Sequence, residues 1–360
     1  MIWSKLKKEL GGPIMVLAPL ADVTDPAFRR IIAKYGKPDA IWTEFVSADG
    51  LFLSPIGEYC EKFIKNEISK DEIMNLKNEI GGSTLIKDLA YTEEERPIIA
   101  QFFTSKPEMM EKAGELAVKL GFDGVDINMG CPDKSVEKQG AGAGLIKNPK
   151  LAQEIILSAK RGVERAGGSI PVSVKTRIGY NKNELETWLP VLLEANPAVI
   201  TIHARTRKEM SLVPARWEHV KRAVEIRDSI VDSNGKKSET LIFGNGDVVD
   251  LDDARKKAEE TGCDGVMLGR AIFGNPWLFN KEISINNVSI SDKLNVMVEH
   301  SKLFEDLLLY KSFAIMKKHY KAYVNGWDGA KELRTKLMET KDAKEVEEIA
   351  QFFIKDSLIK

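Results

Sequence analysis

Three stretches of this sequence carry side chains that could do chemistry. Cys131 stands in NMGCPDKSVEKQGAGAG, flanked by Gly130 and Pro132 and followed by further glycines and alanines, the composition of an exposed, flexible loop. A free thiol ionises near pH 8.5, so at neutral pH it keeps its proton and can act as a general acid. A nucleophilic role would need a paired base, and no Cys/His spacing advertises one. Lys175 interrupts the apolar run VSVKTR. An ammonium there must face a ligand or an anion, or enter a buried ion pair with a partner such as Asp126. His203 and Arg205 follow VITI; His203 alone would read as a core histidine bonded to a carbonyl, but beside Arg205 it reads as a ligand group. GNGD at 244–247 and LGRA at 268–271 could each be an ordinary tight turn. Their small residues also allow backbone N–H groups to approach a phosphate, with Arg270 as a planar cation.

Positioning these groups requires a scaffold. Eight short apolar runs recur at 14–18, 40–44, 98–102, 124–128, 172–177, 199–203, 241–245 and 265–268. They show little alternation, as strands buried on both faces of a parallel sheet do. Helical periodicity occupies 26–34, 107–120, 149–165, 184–194, 217–227 and 251–261, with Pro near the first turn after Asp25, Lys106 and Asn148. This pattern predicts an α/β fold, a (β/α)8 TIM barrel. The rival doubly wound sheet needs a glycine fingerprint after its first strand, where APLADVTDP has no glycine. In a barrel the active site lies at the C-terminal strand ends. Those ends carry Pro19, Glu44, Gln101, Asp126 and Asn128, Lys175 and Arg177, His203 and Arg205, Asn245 and Asp247, and Gly269 and Arg270. With glycine-rich loops after the last two strands, the set points to a phosphorylated cofactor.

The predicted barrel covers 1–277 and carries a charged insertion near 59–95, within which GGST at 81–84 reads as a turn or mobile loop. Beyond Pro276 only helical patterns remain, at 292–309, 311–324, 327–340 and 343–359, predicting a small C-terminal helical domain over 278–360. Its stretch 311–336 holds seven basic residues against Asp328 and Glu332, interleaved with Tyr320, Tyr323 and Trp327. Such a stretch is either a solvated helix face with inward aromatics or a nucleic-acid contact.

Composition bounds the function. The 360 residues are 43% hydrophobic and 30% charged, which excludes disorder and leaves ample material for a core. Lys and Arg total 53 against 54 Asp and Glu, so a uniformly basic RNA-coating protein is excluded while a local basic face is not. Cys60, Cys131 and Cys263 are too few and too dispersed for a disulfide framework or a zinc cluster. Cys60 reads as incidental to the insertion and Cys263 as core. Lys5, Lys7 and Lys8 ahead of an apolar run imitate a secretion signal, but Glu9, Pro13 and Pro19 spoil it. The expectation is a soluble, cytoplasmic, monomeric protein with no membrane span and no metal.

The blocks APLADVTDPAFR, RPIIAQ, GFDGVDINMGCP, GAGAGL, VSVKTRIG, ITIHARTR, GNGD and GVMLGRAIFGNPW together resemble the tRNA-dihydrouridine synthases, over nearly the whole chain. The resemblance implies an FMN-dependent oxidoreductase that uses NADPH to reduce selected uridines of tRNA. It implies Pro19, Leu20 and Ala21 along the isoalloxazine and Gln101 and Lys175 at its polar edge. His203, Asn245, Gly246, Asp247, Gly269 and Arg270 would surround the ribityl phosphate. Reduced FMN would pass hydride to C6 of an extruded uracil while Cys131 protonates C5 and Lys175 stabilises negative charge. Asn128, Arg177 and Arg205 would contact the base, and Lys317, Lys318 and Lys321 the tRNA. After the sixth strand the family usually has Tyr and Gly, where this chain reads KEMSLVPARW at 208–217. Two other functions fit parts of the sequence. An FMN barrel acting on a small molecule gives no reason for the basic helices, and a non-catalytic RNA-binding barrel gives none for Cys131, Lys175 and His203.

Overall fold

A computed structural model describes the backbone of residues 2–231, 235 and 237–359, and the side chains of these up to 355. Eight strands, β1 (Ile14–Leu17), β2 (Ala40–Ser47), β3 (Ile98–Phe103), β4 (Gly124–Met129), β5 (Val172–Arg177), β6 (Val199–His203), β7 (Leu241–Asn245) and β8 (Gly265–Leu268), close in sequence order into a barrel. Every neighbouring pair is parallel. This is the predicted (β/α)8 architecture. The apolar runs located each strand. β1 ends one residue earlier than expected, β3 and β4 run one further, and β2 continues to Ser47 through a register shift between Trp42 and Phe45.

The interstrand helices also follow the sequence pattern. Pro149–Arg165 starts with Pro after Asn148, whose side chain accepts from Leu151 N, and Leu251–Thr261 ends at left-handed Gly262. Helix Ile2–Leu10 was not legible: nine residues are too few to be helical alone, and burial of Trp3 decides the matter. Trp3 stacks on Trp42 at 5.8 Å and meets the Phe243 ring edge-on at 5.7 Å, closing the N-terminal end of the barrel with an apolar plug. The insertion is not one helix but the short helices Gly57–Ile64, Lys70–Met74 and Ser83–Lys87. Of the two readings of GGST, the turn holds: Gly81 and left-handed Gly82 turn the chain into the last of these helices, which starts at Ser83. Cys60 is fully buried there rather than incidental, and burial pushes its thiol up to about 12.

The chain forms two compact units. One comprises Met1–Leu20, Asp39–Ala90 and Arg96–Gly269; the other comprises Ala21–Pro38, Tyr91–Glu95 and Arg270–Lys360. Helix Pro26–Tyr35 thus belongs with the late helices, its Ala27 and Ile31 in their core. In this second unit the helices Ile290–Leu307, Met316–Tyr323, Ala330–Leu337 and Ala343–Ile359 bury Phe304, Tyr320 and Tyr323. The expected helix over 311–324 is shorter, because a 3-10 turn at Phe313–Ile315 precedes its α-helical part. The buried Arg29 guanidinium pairs with Glu95 at 2.8 Å and donates to Thr24 O at 2.8 Å, tying the unit's segments 21–38 and 91–95 together. Phe28 lies against His300 and His319, whose four ring nitrogens have no hydrogen-bond partner. Burial holds both imidazoles neutral, His300 at about 3. No helix among the described residues is long and apolar enough to cross a membrane.

Candidate active site

Parallel register sets the site. Gln101 lies level with Asp126, Asn128 with Lys175, Arg177 with His203, and His203 with Asn245, so successive levels at the C-terminal strand ends collect side chains from five strands. A chain of amides crosses them. Gln101 Nε2 donates to Asp126 Oδ2 at 2.6 Å, and Asn128 Nδ2 donates to Gln101 Oε1 at 3.2 Å. Asn128 Oδ1 then accepts from the backbone N–H of Gly130 at 3.1 Å and of Cys131 at 2.9 Å. The amide therefore sets the turn that aims the cysteine.

Cys131 does not sit on the exposed, flexible loop that its glycines suggested. It is partly buried and packs with Phe45 against Phe103, Val136 and Ala141. Its carbonyl accepts from Ala143 N at 3.0 Å, and left-handed Gly142 passes so close that a side chain there would strike Cys131 O at 2.8 Å. The glycines serve close approach, not mobility. Burial pushes the thiol above its ordinary range, opposed first by a hydrogen bond from the Asp133 backbone and then, against a smaller repulsion from the Asp133 carboxylate, by Lys175 and Arg177. The net effect keeps the proton on sulfur at neutral pH.

Lys175 forms no ion pair with Asp126 among the described residues. Burial first, then repulsion from Arg177, pull its ammonium down to about 8, with Asp126 and Cys131 acting the other way. Asp126 is fully buried, one carboxylate oxygen has no partner, and burial raises it to about 6. Lys175 is half-buried, and a partly desolvated cation without a paired carboxylate among the described residues is a site for an anionic or electron-rich group.

The arginines act on backbone. Arg177, buried, donates Nε to Gly130 O at 2.7 Å and Nη1 to Thr206 O and Met210 O, each at 3.1 Å. Arg205, also buried, donates Nε to Val213 O at 2.6 Å, lies 3.1 Å from His203 Nε2, and pairs with Asp247. Asp247 Oδ2 accepts in addition from Ala215 N at 2.8 Å. These guanidiniums, expected to meet substrate, bind the loops after β4, β6 and β7 into one piece.

After β7, Asn245 Nδ2 donates to Met267 O at 2.7 Å, Gly246 has φ of +124° and Asp247 is left-handed. Trp217 is the contributor that sequence reasoning missed. Its indole N–H donates to Gly246 O at 2.8 Å, and its ring fills the space a Gly244 side chain would take, 2.2 Å from that Cβ position. Nothing in the local sequence signals this contact. A Cβ at Gly269 would meet Ala18 at 3.7 Å and Leu20 at 3.8 Å, so the ends of β1 and β8 form a smooth apolar wall next to Pro19. Ala21 and Arg270 belong to the second unit, each one residue beyond the barrel along the chain. In that unit Lys317 and Lys318 are half-exposed and Lys321 exposed. Tyr320 and Tyr323 point into the core and are not part of the lysines' surface, while Trp327, packed on the edge of that core, is half-buried.

The donor set fits a flat cofactor with an apolar face and a polar, electron-accepting edge: a smooth wall at one side, glycine-rich turns after β7 and β8, and the unpaired charge of Lys175 beside the amides. Comparison with known proteins agrees. The sequence profile of the family described as Dihydrouridine synthase (Dus) matches residues 16–358. A probable tRNA-dihydrouridine synthase 2 of Bacillus subtilis is 36% identical over 349 residues, covering 96% of this chain and 95% of its own. A probable tRNA-dihydrouridine synthase of Staphylococcus aureus is 35% identical over 357 residues, covering 98% and 95%. Histamine dehydrogenase from Rhizobium sp. shares the fold, with a TM-score of 0.50 at 11% identity over 80% of this chain and 48% of that one. The chain belongs to the dihydrouridine synthase family.

Proposed function

We propose that the protein is a flavin-dependent tRNA-dihydrouridine synthase that reduces uridines of tRNA to 5,6-dihydrouridine, with FMN as its flavin and NADPH as reductant. The observation that supports this reading is Cys131, kept protonated by burial and held through its backbone N–H by Asn128, which lies level with Lys175 on the neighbouring strand. When bound, the flavin supplies the hydride for C6 of uracil.

The chain's own residues do the rest. Cys131 holds a proton on Sγ and delivers it to C5, which a thiolate could not do. Lys175 offers positive charge to the electron-rich edge of the cofactor. Gln101 and Asn128 present amides to the same edge, while Pro19, Leu20 and Ala21 supply its apolar wall. His203, Asn245, Gly246, Asp247, Gly269 and Arg270 hold the phosphate end. Arg177 and Arg205 keep the surrounding loops in register and leave their remaining N–H groups for the base. The second unit contacts tRNA phosphates through Lys317, Lys318 and Lys321, within the span 278–360 expected as a separate domain. Position-resolved mass spectrometry of tRNA from cells with and without the protein tests the reading: specific dihydrouridines should vanish with it, and an unchanged map overturns it.

A further inference from the structure

The loop after β6 exposes an apolar tip on the same face as Cys131. Leu212 is 84% exposed, Met210 47% and Val213 36%, adjacent or nearly so along the chain. Exposed leucines are usually incidental. This one is mounted rigidly. Arg177 grips Met210 O and Arg205 grips Val213 O, so a buried guanidinium holds the backbone at each edge of the tip. Inside it, Met210 N donates to Arg207 O and Leu212 N to Glu209 O, while Glu209 itself accepts from Thr206 N at 2.8 Å and Arg216 at 2.8 Å. Met210 is left-handed at φ +50°, a conformation that a non-glycine residue keeps only where its surroundings enforce it.

The same Arg177 guanidinium that holds Met210 O also holds Gly130 O, the residue before Cys131. The tip is thus one side chain away from the proton donor. Cationic groups border it. Lys208 is exposed and its backbone N–H donates to Tyr180 O, and exposed Lys147 lies 4.5 Å from the Tyr180 ring centroid. An apolar point framed by lysines beside a reaction site matches a stacked, polyanionic substrate whose reacting base must leave its stack.

We propose that Met210 and Leu212 form a wedge that enters the base stack of tRNA next to the target uridine and fills the gap left by its extrusion, with Lys208 and Lys147 on the flanking phosphates. The inference rests on the proposed function and adds to it the device that opens the substrate. An exposed side chain can be truncated without harm to the fold, so Leu212→Ala, Leu212→Ser and Leu212→Met are informative variants.

The flavin-loaded parent and variants are reduced with NADPH and mixed with a pool of tRNA transcribed in vitro, and flavin reoxidation is followed over a range of tRNA concentrations. The expected result is a maximal tRNA-driven rate lowered roughly 10- to 100-fold in the Ala and Ser variants, near the parent rate in the Met variant, with reduction by NADPH unchanged. Equal maximal rates in all variants overturn the wedge, as does a loss of tRNA affinity alone with an intact maximal rate. Sedimentation showing that the parent self-associates through Leu212 and the Ala variant does not would reassign the tip to a contact between copies. A parent whose flavin does not respond to tRNA would instead overturn the proposed function itself.

Discussion

The two ends of the barrel are built from the same eight strands and share almost nothing else. At the N-terminal end Trp3, Trp42 and Phe243 fill the interior with rings, and the nearby charges are neutralised: Asp264 pairs with Lys7 and with Arg227. At the C-terminal end a carboxylate oxygen of Asp126 lacks a partner, Lys175 has no paired carboxylate among the described residues, and non-glycine Asp247 and Met210 are left-handed. The plug end has its own costs, two buried indole N–H groups of Trp3 and Trp42 without a partner and left-handed Asn196, but they are neutral, whereas the polar end leaves charge uncompensated. In a folded domain such uncompensated charge persists where a ligand or a reaction uses it.

The largest expected effect lies at the polar end. Replacing Cys131 by Ala should slow reoxidation of reduced flavin by tRNA on the order of 100- to 10,000-fold, because the proposed function assigns the proton for C5 to this thiol. Reduction by NADPH needs no thiol and should proceed normally. Rapid-mixing absorbance separates the two half-reactions, and equal reoxidation rates would leave Cys131 as a packing residue.

The opposite end should behave in the opposite way. Trp3→Ala removes the plug and should destabilise the protein by about 3–5 kcal/mol, read from the shift of a denaturant transition, while tRNA-dependent turnover of the folded fraction stays close to the parent. A large loss of turnover at full folding would break the division of labour between the ends.

Asp126 allows a subtler test through pH. Its folded-state value is raised to about 6. The native state therefore takes up the proton at higher pH than the unfolded chain, whose carboxyl titrates near 3.9. The penalty for its buried charge is absent below pH 4, grows between the two values and is complete above pH 6. Asp126→Asn, which can still accept from Gln101, should stabilise the protein by on the order of 1–3 kcal/mol at pH 7.5 and by almost nothing at pH 4. A gain independent of pH would mean that the carboxylate is satisfied by groups other than those described.

The smallest effect is expected outside the barrel. Changing Lys317, Lys318 and Lys321 together to Ala should weaken tRNA binding about tenfold at moderate salt and flatten its salt dependence, because fewer counterions are released. Titration of fluorescent tRNA at several ionic strengths checks it, and flavin content should not change. Parallel curves for parent and variant would mark this face as merely solvated.

Read residue by residue, the sequence determined more of this protein than of its site. Short Val- and Ile-rich runs separated by 3.6-periodic segments admit few arrangements other than a parallel barrel, because periodicity and burial are properties of local sequence. The strand-end position of Cys131, Lys175, His203 and GNGD followed from that same periodicity. What those residues do to one another was decided only when the barrel closed. The amide chain from Asp126 to Cys131, the two guanidiniums that clamp three loops, and Trp217 beneath the β7 turn all join residues distant in the chain. The glycines around Cys131 suggested mobility because their composition reports only what the backbone is free to do. Tertiary packing supplied the close contacts that use this freedom, and helix Ile2–Leu10, too short to form by itself, exists because the open end of the barrel had a ring-sized space for Trp3.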